Sequence, residues 1–469
     1  MKEESEEECG FTLPLELGRG SYGTVRKAIN PEFIGAMKTF KQSLKSQGLP
    51  GLIELDIGTR LRHPHLAPVL QFFTRLSCPD LKEDLALIML LFDGTLKDVI
   101  RQFPNDPPHE QSRKLFQLVD ALSFLHSSGI LHLDIKLENI FYEKTTKGHD
   151  YFLGDFGLAL YVDDPTENRL SFLHGTVTYR APEIFMGSEF YSEKFDVWSL
   201  GIVFLELLSG RFIYELLDIQ DFNENTVFTS LYEVFSESQR KNSFLQTVLP
   251  PSNAFYISLL DRMLEFYPDR RYSINQVRNH PPFNTLPSQK GYWNENPRTM
   301  YTSPLPIYRE IVDILVNYIR SSFKGSYIEL LFLAVDLYYQ GLLFSSGHDK
   351  KSLLLIALTS LWIALKLLED PFFDIENIAN EFGIDLNYFL KAESILVEGL
   401  HGILYRRYLY HTCQTLDDLL NAYPLLFEYE YYLILDLPRW YKIISQQRPR
   451  YRHSKTITIQ KFFKLLAHN

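Results

Sequence analysis

The sequence predicts an α+β fold for its first half and an all-α fold for its second, and three observations carry that expectation. Residues 15 to 42 alternate apolar and polar positions around a glycine cluster, as a β-hairpin does. The stretch Leu85-Ala86-Leu87-Ile88-Met89-Leu90-Leu91-Phe92 is an unbroken apolar run of strand length. From Ile307 onward, successive segments repeat their apolar residues with the period of a helix. At 469 residues the chain exceeds what one compact core organises, which predicts about two or three domains.

Composition narrows the class. With 45% hydrophobic, 14% aromatic and 22% charged residues, the chain has the make-up of a folded, soluble protein. A net charge of -11 argues against a general nucleic-acid binder. The opening Lys2-Glu3-Glu4-Ser5-Glu6-Glu7-Glu8 is acidic and unlike the basic, apolar start of a signal peptide, so residues 1–10 are expected to be a solvated tail. Leu353 to Leu368 is the most apolar run. Thr359, Ser360 and Lys366 interrupt it, and it falls short of the roughly 20 residues that cross a bilayer, so it predicts a helix buried in protein rather than a membrane span. Cys9, Cys78 and Cys413 stand far apart and predict neither a disulfide framework nor a metal cluster, which suits a reducing, intracellular setting.

Taken in order, the hairpin carries Leu15-Glu16-Leu17-Gly18-Arg19-Gly20-Ser21-Tyr22-Gly23-Thr24-Val25, a G-x-G-x-x-G-x-V string. Glycines there let backbone amides close over phosphates without Cβ interference. A dinucleotide-binding fold uses a similar string, but it needs a helix next, and here the glycines lie between two strand-like runs. The following strand, Phe33-Ile34-Gly35-Ala36-Met37-Lys38-Thr39-Phe40, sets one lysine in an apolar run. Around Glu54 a helix is poorly written. Gly48, Pro50 and Gly51 crowd its start and Gly58 lies inside, each interior glycine costing about 1 kcal/mol relative to alanine.

Chemistry is most concentrated at His132-Leu133-Asp134-Ile135-Lys136-Leu137-Glu138-Asn139. An aspartate can accept a hydroxyl proton, a lysine two residues on can neutralise a transferring phosphoryl group, and an asparagine five residues on can hold a metal ion. This string resembles the catalytic loop of eukaryotic-type protein kinases. Its companions follow in the family's order: Asp155-Phe156-Gly157, then Gly175-Thr176-Val177-Thr178-Tyr179-Arg180-Ala181-Pro182-Glu183, then Asp196-Val197-Trp198-Ser199-Leu200-Gly201, then Asp269-Arg270-Arg271. Lys136 and Thr176 match the Ser/Thr-specific form.

The resemblance implies a bilobal kinase domain over residues 11–285, with a β-rich N-lobe (11–92) and a helical C-lobe (93–285). It implies ATP under Gly18, Arg19, Gly20, Ser21, Tyr22 and Gly23, with adenine between Val25 and Ala36 above and Phe141 below, and with Met89 at the back of the pocket. Lys38 becomes the phosphate lysine, paired with Glu54 of the regulatory αC helix. Asn139 and Asp155 become the Mg²⁺ ligands, Asp134 the base for a Ser or Thr hydroxyl of a protein substrate, and Lys136 its neighbouring cation. Asp196 is expected to buttress the catalytic loop, and Arg271 to pair with Glu183. Cyclin-dependent kinases carry three arginines that grip a phosphorylated activation-loop residue; here those positions hold Ile53, Leu133 and Leu160. Phosphorylation of Ser171 is therefore expected not to control activity.

Residues 286–303, rich in Pro, Ser, Gly and Asn, read as a linker able to span roughly 60 Å when extended. Helices are expected at Ile307 to Ser321, Ser326 to Phe344, Lys351 to Leu368, Asp374 to Phe382 and Asn387 to Tyr405. Leu331-Phe332-Leu333-Ala334-Val335, Thr359 to Asp370, and Leu390-Lys391-Ala392-Glu393-Ser394-Ile395-Leu396 resemble helices of a cyclin box, which would occupy 304–412 before a C-terminal helical extension at 413–469. In that family a lysine and a glutamate at the positions of Lys366 and Glu393 contact the kinase, although the family's Asp-Arg pair is here Tyr339-Gln340. Arg448, Arg450, Arg452 and Lys455 form a basic cluster near the C-terminus.

A kinase joined to a cyclin-like domain resembles fusion proteins of giant DNA viruses, which would place it in the host cytoplasm or nucleus, among cell-cycle regulators. The arrangement implies activation in cis, the cyclin-like domain docking on αC. The other reading is an interaction protein, with a catalytically idle kinase fold and a helical domain that engages a different cell-cycle kinase.

Overall fold

The computed structural model describes residues 6–20, 23–40, 50–74, 77–83, 85–146, 148–162, 175–188, 192–293, 311–312, 314–315, 317–319, 328–341, 350–367 and 375–400. Ser21, Tyr22, Ser171, Cys413, the basic cluster at 448–455 and the extension 413–469 lie outside them. The chain divides into two compact units, residues 1–296 with 365–403, and residues 297–364 with 404–469.

The first unit opens with strands β1 (Glu6–Glu8), β2 (Phe11–Arg19), β3 (Gly23–Ile29) and β4 (Ile34–Phe40), followed by helix α1 (Pro50–Arg60), then β5 (Leu61–Arg62), β6 (Val69–Thr74) and β7 (Leu85–Leu90). Six of these strands form an antiparallel sheet in the order β1-β2-β3-β4-β7-β6. Its pleat sorts the side chains. Met37 joins Phe11, Leu13, Ala28 and Ile88 in a buried cluster that Cys78 and Leu81, from the β6–β7 connection, cover. Ala36 and Lys38, one residue either side of Met37, therefore point to the opposite face.

The cysteine expectation is corrected here. Cys9 and Cys78 form a disulfide, with Cα atoms 5.3 Å apart, a separation such bonds ordinarily span. A tight β1–β2 turn, with Cys9 and Gly10 both at positive φ, brings Cys9 to the β6–β7 connection. A gap of 69 residues in sequence hid a contact that only the pairing of strands creates.

Helix α1 forms over eleven residues despite its glycines. A Cβ on Gly58 would stand 2.4 Å from Val69 Cγ2, and one on Gly51 would stand 3.1 Å from Leu85 and Phe40. The glycines that weaken the isolated helix are thus what lets it press onto the sheet, where Leu52, Ile53, Leu55 and Ile57 are buried.

Below the sheet come β8 (Gly94–Thr95), α2 (Leu96–Val99), α3 (Pro108–Ser127), β9 (Ile130–Leu131), β10 (Ile140–Thr145), β11 (Gly148–Leu153), β12 (Leu160–Tyr161), α4 (Pro182–Phe185), α5 (Glu193–Ser209), α6 (Ile213–Leu216), α7 (Glu224–Phe235), α8 (Ser238–Val248), α9 (Ile257–Met263) and α10 (Ile274–Arg278). Helix α5 is the core of this lobe. Every residue from Phe195 to Leu208 is buried; the Ser192 side chain caps its start, and Gly210 ends it at φ +69. The result is the expected bilobal architecture of curled sheet and helical lobe.

The stretch read as a linker begins attached. Asp120 of α3 accepts hydrogen bonds from the Ser288 hydroxyl and from the Gln289 amide (2.6 Å), and β13 (Tyr292–Trp293) pairs antiparallel with β5, immediately after α1.

In the second unit, α11 (Ile328–Gly341) buries Leu333, Ala334, Val335, Leu337 and Tyr338, and the part of α12 (Lys350–Leu367) up to Ala364 is buried from Ala357 on. Thr359 and Ser360 fit this apolar helix by donating their hydroxyls to the carbonyls of Leu355 and Ile356 at 2.7 and 2.8 Å. The end of α12, with α13 (Ile375–Glu381) and α14 (Leu386–Gly399), belongs to the first unit. Lys366 and Glu393 are both buried and bond each other at 2.5 Å. Among the described residues no helix is long and apolar enough to cross a membrane.

Candidate active site

Strand β4 projects Lys38 from the sheet, and α1 brings Glu54 to meet it. Lys38 Nζ lies 2.6 Å from Glu54 Oε2 and 2.8 Å from Asp155 Oδ1. Burial opposes the charge on Lys38, but the two carboxylates outweigh it and hold its pKa above the usual lysine range. Burial pushes the Glu54 carboxyl up to about 7, against the pull of Lys38 and with the help of Asp155. Asp155 also feels burial, which would raise it, yet Lys38 holds it below the ordinary carboxylate range. Asp155 sits at φ +59, a left-handed turn just after β11, and Gly154 before it is pressed against Phe141 and Ala67, where a Cβ would approach to within 2.8 Å of each.

The catalytic-loop residues gather around one carboxylate. Asp134 Oδ2 accepts from Lys136 Nζ at 2.7 Å and from Asn139 Nδ2 at 2.8 Å; its Oδ1 accepts from the Thr176 amide at 3.1 Å and the Thr176 hydroxyl at 2.9 Å. Lys136 also reaches the Thr176 hydroxyl, at 2.9 Å. The loop is held from below. Asp196 of α5, fully buried, accepts the amides of His132 and Leu133 at 2.8 and 2.9 Å and faces His126 Nε2 at 2.8 Å. Leu133 is forced to φ +62, a conformation a leucine adopts only when its surroundings impose it. Glu183 and Arg271 form a two-pronged ion pair at 2.8 and 2.9 Å.

The other residues expected at the nucleotide are distributed as follows. Gly18 and Arg19 of β2 pair with Val25 and Thr24 of β3, and the Gly20 amide donates to the Gly23 carbonyl at 2.9 Å to close the turn. Among the described residues, a Cβ on Gly18 or Gly20 would meet nothing within 4 Å, which leaves room there for an incoming group. Gly23 is different. Its Cβ would strike Thr39 O at 2.3 Å, so the sheet itself requires that glycine. The Arg19 guanidinium is engaged by Glu16 at 2.6 Å on the surface. Ala36 pairs with Met89 across β4 and β7, Val25 with Lys38, and Phe141 of β10 stacks on Phe92 at 5.1 Å.

The donor set fits a hard divalent cation. Asp155 presents a partly exposed carboxylate, and Asn139, whose Nδ2 is committed to Asp134, keeps its carbonyl oxygen as a donor; Mg²⁺ prefers such oxygen ligands.

Sequence reasoning missed several residues that fix this geometry. His126, against Asp196, has no motif around it. Glu206 is buried in α5, accepts from the Tyr179 hydroxyl and the Ile213 amide at 2.8 Å each, and is pushed up to about 8 by that burial. Asp56 and Arg60 pair one turn apart on α1, and Tyr161 joins them only through tertiary structure.

Comparison with known proteins agrees with this geometry. The model of the protein kinase domain family matches residues 11–283. Cyclin-dependent kinase B2-1 of Arabidopsis thaliana is 30% identical over 301 residues, covering 58% of this chain and 93% of its own length. Cyclin-dependent kinase-like 1 of Caenorhabditis elegans is 29% identical over 293 residues (57% and 79%), and cell division control protein 2 homolog 3 of Trypanosoma brucei brucei is 29% identical over 298 (57% and 89%). The chain belongs to the protein kinase domain family.

Proposed function

We propose that the chain is a Ser/Thr protein kinase that transfers the γ-phosphate of ATP to protein hydroxyls and is held in its working state by its own C-terminal half. One observation carries this reading: Lys38 bridges Glu54 and Asp155 while Asp134, Lys136, Asn139 and Thr176 already form a single hydrogen-bonded cluster. Asp155 and Asn139 would hold Mg²⁺, which would supply charge neutralisation for the nucleotide's phosphates. The chain's own residues do the rest. Lys38 holds the nucleotide's phosphates in register. Asp134 receives the hydroxyl in place of its present partners and takes its proton, while Lys136 offsets charge on the group in transfer. Glu54 keeps Lys38 from swinging onto Asp155 alone.

The acceptor segment would run past Gly175 and Thr176. Gly175 is at φ +83, and its carbonyl accepts from Arg180 Nη2 at 3.2 Å. A substrate amide arriving there finds the carbonyl engaged, so a residue without an N–H loses nothing, which favours proline after the phosphorylated Ser or Thr.

Activation in cis has three supports. The compact unit that contains the kinase residues also contains residues 365–403. Within it Glu398 of α14 accepts from the Thr74 hydroxyl and from the Ser77 amide (3.1 Å), at the end of β6, whose other end packs on α1 through Val69 and Gly58. The weak intrinsic helicity of α1 makes external support effective.

Purified full chain with Mg·ATP is expected to phosphorylate Ser/Thr-Pro peptides and not the matching Tyr peptides, with Asp155→Ala showing no transfer. A wild-type chain no more active than Asp155→Ala favours the idle interaction protein instead.

A further inference from the structure

The three positions where cyclin-dependent kinases carry phosphate-gripping arginines, Ile53, Leu133 and Leu160, are apolar and buried here. Close by in the chain, three polar residues are just as buried. Asp56, Arg60 and Tyr161 are 0%, 1% and 6% exposed. Arg60 Nη2 donates to Asp56 Oδ2 at 2.9 Å and to the Tyr161 hydroxyl; the Tyr161 hydroxyl donates in turn to Asp56 Oδ2, and the guanidinium lies 5.2 Å from the centre of the Tyr161 ring. Breaking any of these three buried bonds would leave a polar atom unpaired in the interior, so they hold the elements that supply them in one relative position.

Those elements are the ones that matter for the site. Asp56 and Arg60 lie on α1, the helix that carries Glu54. Tyr161 lies on β12, the first regular structure after Asp155, and pairs with Ile130 of β9; Leu131 of β9 leads directly into His132 and the catalytic loop. We propose that Asp56, Arg60 and Tyr161 are positioning residues that tie α1 to the catalytic loop through the β9–β12 ribbon, holding Glu54 on Lys38 without a phosphorylated residue. The proposal deepens the kinase reading above and rests on it.

Tyr161→Phe removes the hydroxyl that closes the ring and leaves the ring stack and the Arg60–Asp56 pair in place. In the full chain it is expected to lower kcat roughly tenfold, with the melting temperature shifted little. Because the ring acts through Glu54, the same substitution in a Glu54→Gln background is expected to change kcat less than about twofold. An equal fold-loss in both backgrounds overturns the proposal, since a merely structural role would act alike in each. Hydrogen exchange gives a readout independent of turnover: amides of residues 52–60 are expected to exchange faster in Tyr161→Phe than in wild type, and unchanged exchange there also overturns it. If wild type transfers no phosphate while exchange still quickens in Tyr161→Phe, the kinase reading fails and the tie itself stands.

Discussion

Asp134→Asn is expected to lower kcat by about 10²- to 10⁴-fold, the usual contribution of a positioned general base. The carboxylate now accepts from Lys136, Asn139 and both donors of Thr176. An amide has the same shape, but its nitrogen would turn a donor toward two donors or lose Thr176, and it cannot accept a proton. Asp134 contacts neither Lys38 nor Asp155 among the bonds described, so KM for ATP is expected to change much less than kcat. Steady-state kinetics with varied Mg·ATP and peptide separates the two parameters. A fall in kcat of less than about tenfold would show that another group receives the hydroxyl proton.

Arg271→Ala should be the most destabilising single substitution in the helical lobe. The guanidinium is buried, lies 5.1 Å from the Trp198 ring, and donates to both oxygens of Glu183 and to the carbonyls of Glu265, Lys194 and Phe266. Truncation strands a carboxylate and three carbonyls in the interior, a loss of about 3–5 kcal/mol. Whole domains are stable by only about 5–15 kcal/mol, so the melting temperature is expected to drop on the order of 10 °C. Because the cost is that of an unpaired buried charge, Arg271→Met with Glu183→Gln should recover part of it. Calorimetry on the three proteins tests this, and a double variant less stable than Arg271→Ala would contradict it.

How much of this was legible in the sequence depends on what each element needed. Asp134, Lys136, Asn139 and Asp155 were readable because local strings mark them, and Lys38 and Glu54 through the place the resemblance gives them; the structure joins Lys38 to Glu54 and Asp155, and Lys136 and Asn139 to Asp134. The chemistry demands those residue types at those spacings whatever the rest of the fold does. The glycines of α1 marked it as a helix in need of tertiary support, but not where that support comes from: Gly51 and Gly58 pack against Leu85, Phe40 and Val69 of the sheet, a tertiary effect that offsets the intrinsic cost. The Cys9–Cys78 bond was invisible for a related reason, since strand order, not sequence distance, decides which turns meet. Asp56, Arg60 and Tyr161 give no local signal either. Two of them look like an ordinary i, i+4 surface pair until Tyr161 arrives from a distant strand. Lys366 and Glu393, which the cyclin-box resemblance assigns to kinase contact, bond each other, a pairing the spacing of two separate helices did not foretell.

The reading in which the C-terminal half holds Glu54 on Lys38 makes the chain competent alone. The direct measurement is phosphate transfer by residues 1–303, which keep the β13 strap, beside the full chain, both phosphatase-treated, with no other protein added and with folding checked by melting. Cis activation predicts a full chain active from the first turnover and a folded 1–303 fragment at least roughly tenfold slower, because an unsupported α1 spends most of its time disengaged. A folded fragment as active as the full chain would contradict it.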